Sequence, residues 1–345
     1  MTKLSIRHIA FLTPGNYDDA DPRRGLEDTL SLFEHGEAIG FDSAWIRQRH
    51  LEPGVSSAAA FLAAATQRTR RIGLGTAVIQ MGYENPFRLA EDLSLVDVLS
   101  AGRLNIGLSA GPPPFGKLLG HRLLDGDPAA IDFSHARVAR LAKNIEGEWL
   151  GDADTRITSA AGEHRPRLRP HAPGLRQRLW YGGCSLRSAR WAAENGFHLL
   201  VGNINTAEET DGFFEVQRSH IETFRAHWKG ESQPRIAVGR VIVPLDGADT
   251  ATRQRYHDYA ASRHARTLGP QGERRTQFTS DLVGTAAELI ERLAADPILP
   301  LVDTLRLELP YNFSIDDYRQ ITADFAGLIA PALGWRGGVE LKGAA

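Results

Sequence analysis

Short apolar runs with strand-like patterns alternate along the chain with longer segments whose apolar residues recur at helical spacing. Eight of the short runs predict strands, at residues 4–12, 41–46, 71–80, 103–109, 179–183, 197–202, 235–243 and 303–309. Because repeated strand–helix alternation produces parallel strands joined by right-handed crossovers, the candidates are a closed barrel and an open doubly wound sheet. Eight units favour the closed (β/α)8 barrel, or TIM barrel.

The segments between the strands predict helices that cover the sheet. Residues 26–39 place their apolar side chains on one face. Residues 85–100 also carry end signals, because Asn85 is a typical N-cap, Pro86 suits the first helical position and Gly102 follows the last turn. We therefore predict a helix over 85–100.

Three stretches carry more chain than a βα unit needs. Residues 111–131, 151–178 and 265–281 are rich in Pro, Gly, Arg and Asp and lack a strong period. We interpret them as insertions, chiefly after strands four and seven. The prediction is a single barrel domain over residues 1–345.

Composition and charge narrow the classes of function. The chain has 345 residues, is 42% hydrophobic and carries 40 basic against 42 acidic side chains, for a net charge of −2. This balance argues against a nucleic-acid or anionic-membrane surface. No segment approaches the roughly 20 apolar residues that span a bilayer. The single cysteine, Cys184, excludes an internal disulfide, so we expect a cytoplasmic protein.

Two familiar catalytic patterns are not supported. Residues 107–111 match the G-x-S-x-G motif around Ser109, but Pro112 to Pro114 follow at once, where the motif needs a helix to begin. Histidine pairs seven residues apart would lie about 10 Å apart on a helix, too far to share one metal ion. We expect solvated helix faces and no metal site for these histidines, which are His220, His227, His257 and His264.

Two strand faces hold unusual side chains. Residues 71–80 and 103–109 each present small residues, which either let helices pack closely or let a flat ligand lie against the backbone. Both interpretations stay open. In the last strand Arg306 and Glu308 share a face, and a buried ion pair inside the barrel is favoured over a role in a site.

One turn has the chemistry of an anion site. Residues 179–183 run through two glycines into a helix that Ser185 can cap, with Ser188 at the third helical position and Arg187 adding positive charge. Free N–H groups at such a helix start attract phosphate, although the same turn is common without a ligand. Cys184 lies at this turn, but no base lies near it in sequence.

Taken together, these segments resemble the bacterial luciferase-like, flavin-dependent monooxygenase family. The resemblance extends from residue 4 to about 329. It is carried by residues 40–45 (GFDSAW), 69–80, 85–92 (NPFRLAED), 95–103 (LVDVLSAGR), 191–196 (WAAENG) and 283–286 (VGTA).

The resemblance implies that reduced FMN, or deazaflavin F420 in some branches, lies across the C-terminal mouth of the barrel. The flavin ring would contact Thr76, Ala77 and Val78, with a non-proline cis peptide near Ala77–Val78. The other expected cofactor contacts are Ser109, Gly182, Gly183, Cys184, Ser185, Arg187 and Ser188.

The chain departs from the family pattern at two positions. Arg49 aligns with a catalytic histidine, and His50 follows it; Ala110 stands where a phosphate-binding arginine is often found. We assign the acid–base role to His50 and anion stabilisation to Arg49, and Arg187 or an arginine in an insertion would compensate at the phosphate. A structural histidine bonded to a backbone carbonyl is the alternative for His50.

The function implied is that of a two-component monooxygenase. A separate NAD(P)H:flavin reductase would supply reduced FMN, and the barrel, a homo-oligomer such as a dimer, would use O2 to oxygenate a small organic substrate. The sequence lacks a nicotinamide-binding motif, in keeping with a separate reductase. The alternatives are an F420-dependent dehydrogenase on the same barrel and a non-catalytic flavin-binding protein.

Overall fold

The computed structural model describes residues 4–337, and eight of the strands there close into one parallel barrel. Around the ring the order is β1–β14–β10–β8–β7–β4–β3–β2. The strands of the described chain are β1 (His8–Thr13), β2 (Ser43–Ile46), β3 (Gly73–Gln80), β4 (Leu104–Ser109), β5 (Ile157–Ser159), β6 (Gly162–His164), β7 (Leu179–Gly182), β8 (His198–Val201), β9 (Ile204–Thr206), β10 (Ile236–Arg240), β11 (Ile242–Pro244), β12 (Thr276–Phe278), β13 (Leu282–Gly284) and β14 (Thr304–Glu308). The predicted (β/α)8 barrel is confirmed.

Helices surround the barrel, and their ends follow the sequence signals. Pro86 opens the helix predicted over residues 85–100, and the Asn85 side chain accepts hydrogen bonds from the N–H groups of Phe87 and Arg88. Gly102 has a φ of +80°, as a residue just past a helix end requires. The helices are α1 (Pro22–Ala38), α2 (Ala58–Arg68), α3 (Pro86–Leu99), α4 (Gly116–Leu119), α5 (His135–Glu146), α6 (Leu186–Glu194), α7 (Phe213–Ala226), α8 (Thr250–Arg263), α9 (Ala286–Ala294) and α10 (Ile315–Asp324).

The alternation of side chains along each strand creates two cores. In β1, Phe11 points outward and meets the ring of Phe33 on α1, with centroids 5.7 Å apart. Its neighbours Ala10 and Leu12 belong to the second cluster, inside the barrel. That interior cluster contains Ala10, Leu12, Trp45, Ala77, Trp180, Leu200 and Ala237.

The segments outside the barrel have some structure of their own. Residues 111–131 contain α4, residues 151–178 contain the antiparallel β5–β6 pair, and β12 pairs antiparallel with β9. The strand predicted at 235–243 divides, because β10 ends in the barrel and β11 pairs with β13 outside it.

The assignment of these segments as insertions in one domain stays a prediction, and residues 1–3 and 338–345 lie outside the described chain. No helix within residues 4–337 is both long and apolar enough to cross a membrane.

Candidate active site

The pairing of β3 with β4 contains a bulge at the residues expected to contact a flavin ring. Thr76 lies opposite Ile106, but Ile79 lies opposite Leu108, so β3 has one residue more than its partner. The Ala77–Val78 peptide within this bulge is cis, as the resemblance implies. Ala77 and Val78 pack with the cluster inside the barrel.

Thr76 restores the hydrogen bonds that the bulge interrupts. Its Oγ1 accepts a hydrogen bond from the Gly107 N–H and donates one to the Gly107 carbonyl, both at 3.0 Å. The Thr76 side chain is fully buried. Both hydrogen bonds of the Thr76 hydroxyl are therefore made to β4, where they stabilise the bulge. Ala77 and Val78 form the part of the bulge that faces the barrel interior.

The small residues of β3 and β4 have a cause that sequence reasoning did not find. A Cβ on Gly75 would overlap the indole of Trp45, and a Cβ on Gly107 would lie 2.6 Å from Leu200 and closer still to the backbone of Thr76. Neither glycine makes room for a helix. Gly75 accommodates the interior tryptophan, and Gly107 accommodates the bulge.

Two tryptophans form an apolar floor inside the barrel. The rings of Trp45 and Trp180 meet edge to face, with centroids 5.7 Å apart. Each indole N–H has a partner, Ser43 Oγ at 2.8 Å for Trp45 and Asn105 Oδ1 at 3.2 Å for Trp180. Because both indole N–H groups donate hydrogen bonds to neighbouring side chains, the rings present an apolar surface beneath the bulge.

The predicted phosphate turn has the expected local geometry. Ser185 is the N-cap of α6, and its Oγ accepts the Ser188 N–H at 3.1 Å and lies 2.9 Å from Ser188 Oγ. A Cβ on Gly183 would lie 2.6 Å from the end of the Leu199 side chain, so a larger residue here would have to displace Leu199. Arg187 is exposed beside the turn. The remaining predicted contacts, Ser109 and Gly182, end β4 and β7 and are half-buried.

Cys184 is not activated at this turn. The residue reaches the surface, yet the loops packed around its sulfur desolvate the thiolate and raise the pKa of the thiol. This shift is opposite to that expected from a helix N-terminus alone. Its backbone carbonyl accepts the Thr206 N–H at 3.0 Å, which ties the turn to β9.

An acidic residue that the sequence did not reveal reaches the same helix start. The Glu208 carboxylate accepts the Leu186 N–H at 2.7 Å and lies 3.1 Å from Nε2 of His220. The position of this carboxylate is consistent with the positive dipole end of α6. Its negative charge would repel a phosphate bound at the same helix start.

The expectation that His220 lies on a solvated helix face is wrong. The side chain is fully buried, and burial lowers its pKa, so the neutral ring donates to Glu208. The sequence did contain a signal, because Val216, His220 and Phe224 recur every four residues on the buried stripe of α7.

On the opposite side of the mouth, His50 is held by a side-chain amide. Gln48 is buried, and its Oε1 accepts the Ala58 N–H at 3.0 Å. Its Nε2 therefore faces His50 Nε2 at 3.0 Å and Glu84 Oε1 at 2.8 Å as a donor to both. His50 also stacks on Tyr83, with centroids 3.8 Å apart.

These contacts define the protonation of His50. Because Gln48 donates to Nε2, the ring is neutral and carries its proton on Nδ1. Burial lowers the pKa of His50 and raises the pKa of Glu84. The alternative prediction for His50 is a hydrogen bond to a backbone carbonyl. In the structure its hydrogen-bond partner is instead the side-chain amide of Gln48.

A cluster of charged side chains joins the ends of β2 and β14. Glu308 accepts hydrogen bonds from Arg306 and Arg47, each at 3.0 Å, so the predicted Arg306–Glu308 ion pair is confirmed. Arg49 donates to the hydroxyl of Tyr311 at 2.8 Å. The sequence indicated neither Arg47 nor Tyr311 as a partner, since both contacts span more than 250 residues.

Ala110, which stands where a phosphate-binding arginine is often found in the family, contacts the side chain of Tyr181. The backbone N–H of Ala110 donates to the hydroxyl of Tyr181 at 3.1 Å. Burial raises the pKa of Tyr181 to about 12, so the phenol stays neutral. His135 and Trp191 pack around the same ring.

The family profile described as luciferase-like monooxygenase matches residues 6–296. The chain belongs to this family. It is 36% identical over 150 residues to limonene 1,2-monooxygenase of Rhodococcus erythropolis, covering 41% of this chain and 38% of that one. It is 30% identical over 241 residues to 4-hydroxyprotoasukamycin monooxygenase of Streptomyces nodosus subsp. asukaensis, covering 69% and 61%. The chain thus matches less than two thirds of the length of either relative.

A third relative is named for its part in an enzyme pair. This is the oxygenase component of the flavin-dependent trigonelline monooxygenase of Acinetobacter baylyi, which is 23% identical over 240 residues, covering 63% of this chain and 62% of that one.

Several solved structures share the fold. The monooxygenase RslO1 from Streptomyces bottropensis superposes with a TM-score of 0.68 at 18% identity, covering 94% of this chain and 99% of that one. The oxygenating constituent of 3,6-diketocamphane monooxygenase from Pseudomonas putida, in complex with FMN, gives 0.66 at 14% identity, covering 95% and 98%. An F420-dependent secondary alcohol dehydrogenase gives 0.60 at 16% identity, covering 95% and 99%.

Proposed function

We propose that this protein is the oxygenase component of a two-component flavin monooxygenase. A separate NAD(P)H:flavin reductase would supply reduced FMN, and O2 would be used to oxygenate a small organic substrate. The observation that carries the proposal is the β3 bulge at Ala77 and Val78 above the tryptophan floor, on the same side of the barrel as the Gly182–Ser188 turn. When bound, reduced FMN supplies the electrons that activate oxygen.

The residues at hand fit a phosphorylated flavin. Ser185, Ser188 and Arg187 provide hydroxyl and guanidinium donors at the start of α6, where the helix dipole favours an anion. Ala77 and Val78, which pack with the cluster inside the barrel, offer an apolar surface at the bulge. The phosphate would lie at the turn and the flat ring against the bulge.

The barrel interior supports chemistry that water would disrupt. Trp45, Trp180 and Leu200 close the floor with almost no exposed surface. A dry floor strengthens every electrostatic contact made above it and limits unproductive loss of reduced flavin to solvent.

His50 would hold a proton at a defined atom. Its Nε2 is occupied by Gln48, whereas Nδ1 carries the proton and has no hydrogen-bond partner among residues 4–337. We assign Nδ1–H the role of donor to an oxygen of the substrate, and we assign Arg49 the role of a fixed positive charge beside it.

We also propose that the protein is a homodimer that acts in the cytoplasm, where NAD(P)H is available. Leu95, Val98 and Leu99 on the outer face of α3 are each about half exposed, and Phe87 lies on the same side. An apolar helix face pairs well with its own copy across a two-fold axis. Light scattering should give a dimer mass for the native chain and a monomer mass for Leu95→Lys/Val98→Lys; a native monomer would refute the dimer.

The cofactor is tested by titrating the protein separately with FMN and with F420. We expect binding of FMN, oxidised and reduced, with much weaker binding of F420. Tight F420 binding without FMN binding would instead support a dehydrogenase, the alternative to which the fold similarity with an F420-dependent enzyme points.

A further inference from the structure

We propose that the substrate carries an anionic group, most simply a carboxylate, and that Arg47 and Arg49 bind it on the side of the mouth that faces the flavin. This inference rests on the proposed function and specifies the class of substrate for the same site. It follows from a count of the charges in one connected cluster, from their burial and from their place in the barrel.

The cluster holds more positive than negative charge. Glu308 is shared by Arg47 and Arg306, and its carboxylate oxygens lie 3.0 Å from each guanidinium. Arg49 bonds to the neutral hydroxyl of Tyr311. Three guanidinium groups and one carboxylate leave an excess of two positive charges.

The single carboxylate is ionised and fully used. Burial alone would raise the pKa of Glu308, but Arg47 and Arg306 lower it below its ordinary value. Glu84 lies near the same mouth, but its carboxylate accepts a hydrogen bond from the neutral Gln48 amide at 2.8 Å. Among residues 4–337 it forms no ion pair with the three arginines of the cluster.

Burial makes this excess costly unless an anion completes the cluster. Arg306 is 3% exposed, and the Arg47 side chain is 18% exposed. The Nε atoms of Arg47, Arg49 and Arg306, together with Nη1 of Arg306, are buried and have no hydrogen-bond partner among residues 4–337. Buried guanidinium donors are normally paired, so these atoms indicate a missing acceptor.

The cluster is built into the barrel. Gly239 on the neighbouring strand β10 has no room for a Cβ, because that atom would overlap Oε1 of Glu308. Arg306 lies over the ring of Trp45 at 5.9 Å, in contact with the apolar floor. Arg47 lies over the Tyr311 ring at 5.6 Å, beside the hydroxyl that Arg49 holds. The charges are therefore fixed by packed side chains.

The position of the cluster separates its ligand from the flavin phosphate. The cluster lies on β14 and just past the end of β2, which are the two neighbours of β1 in the ring. The strand β7, which leads into the phosphate turn, is directly opposite β1 in this eight-stranded ring. A substrate anchored by a carboxylate at Arg47 and Arg49 would extend over the tryptophan floor towards the Ala77–Val78 bulge. The tyrosine hydroxyl of Tyr311 adds a donor for the second carboxylate oxygen.

An anion at the cluster has two possible sources, a substrate carboxylate and the anionic ring of reduced flavin. The experiment separates them with two carboxylate probes, benzoate and hexanoate, each paired with its neutral amide. Calorimetric titrations are made with the free protein, with the FMN-loaded protein and with the protein holding reduced FMN without oxygen. The mouth variant is Arg47→Gln/Arg49→Gln. The control, called the outer-helix variant, is Arg190→Gln/Arg292→Gln, which removes the same charge from α6 and α9.

We expect a carboxylate to bind at least tenfold more tightly than its amide. The mouth variant should lose at least tenfold of this affinity, while amide and FMN binding change less than twofold and circular dichroism is unchanged. The outer-helix variant should match the native protein. Arg49→Lys should retain part of the preference, because charge is kept but the bidentate geometry is lost.

Two results would overturn the inference. One is equal affinity of each carboxylate and its amide for the native protein. The other is a mouth variant that weakens reduced FMN binding and leaves carboxylate binding intact, which would assign the arginines to the flavin. If FMN fails to bind but the free protein keeps its preference for carboxylates, the proposed function fails while the anion site stands.

Discussion

Gln48 donates a hydrogen bond from its side-chain amide to Nε2 of His50 at 3.0 Å, and the Ala58 N–H fixes the orientation of that amide. A backbone group at the start of α2 thus determines which nitrogen of His50 carries the proton. The two residues are neighbours in sequence, but the constraint that orients them comes from the next helix.

Gln48→Glu should reverse this hydrogen bond. A carboxylate at position 48 cannot donate, so His50 would donate from Nε2 and its pKa should rise from below to above its ordinary value. Proton NMR titration of the histidine rings measures the shift, and His50→Gln identifies the resonance. An unchanged His50 titration in Gln48→Glu would contradict the assigned tautomer.

Thr76→Val should destabilise the barrel without changing its shape. The substitution keeps the volume but leaves the N–H and C=O of Gly107 without partners, at a cost of about 3 kcal/mol in the free energy of unfolding. Urea denaturation measures the loss. Thr76→Ser retains the hydroxyl and should lose clearly less; equal losses would show that packing of the methyl group, not the hydrogen bonds, supports the bulge.

Glu208→Gln should strengthen FMN binding. The amide can still accept the Leu186 N–H, but the negative charge beside the expected phosphate is gone, which corresponds to about 1 kcal/mol, or roughly fivefold in Kd. Fluorescence titration with FMN measures the gain, and riboflavin, which lacks the phosphate, is the control. A gain for riboflavin as large as that for FMN would place the phosphate elsewhere.

Acid should destabilise the native barrel through His198. The side chain is buried, and burial, with a smaller contribution from Arg235, lowers its pKa to about 3. Below about pH 6.5 the unfolded chain therefore binds a proton at His198 that the folded chain does not bind. As a result, the free energy of unfolding falls by about 1.4 kcal/mol per pH unit between pH 6.5 and the folded-state pKa. The stabilising contribution is complete above pH 6.5.

His198→Gln removes this titration. Urea denaturation at a series of pH values from 7.5 to 5 should show a shallower loss of stability in the variant than in the native protein. His8, whose pKa burial also lowers to about 3, keeps the same sign of dependence in both proteins. Parallel curves for the two proteins would contradict the account.

Local patterns in the sequence were sufficient for the barrel and for its best-defined ends. The eight strands, the Asn85 cap and the Ser185 cap each depend on residues within a few positions of one another. The Arg306–Glu308 pair is two residues apart on one strand face and was predicted for the same reason. The cis peptide was expected only through the family resemblance.

The polar network of the mouth could not be predicted, because it joins residues that are distant in the chain. Gln48 meets Glu84, and Arg49 meets Tyr311, only after the barrel has closed. Gly75 and Gly107 were noticed, but their cause lies in the Trp45 ring and in the β3 bulge, which no spacing reveals. The polar side chains of the mouth lie in loops and at strand ends, and they come into contact only in the folded barrel.

We propose that the Ala77–Val78 side of the mouth holds reduced FMN for reaction with oxygen. The most direct measurement mixes the protein and reduced FMN, prepared without oxygen, with oxygenated buffer in a stopped-flow spectrometer. We predict that the absorbance of oxidised flavin returns at least tenfold more slowly than for free reduced FMN. Reoxidation at the rate of free flavin, with no reduced FMN bound in equilibrium dialysis, would contradict the claim.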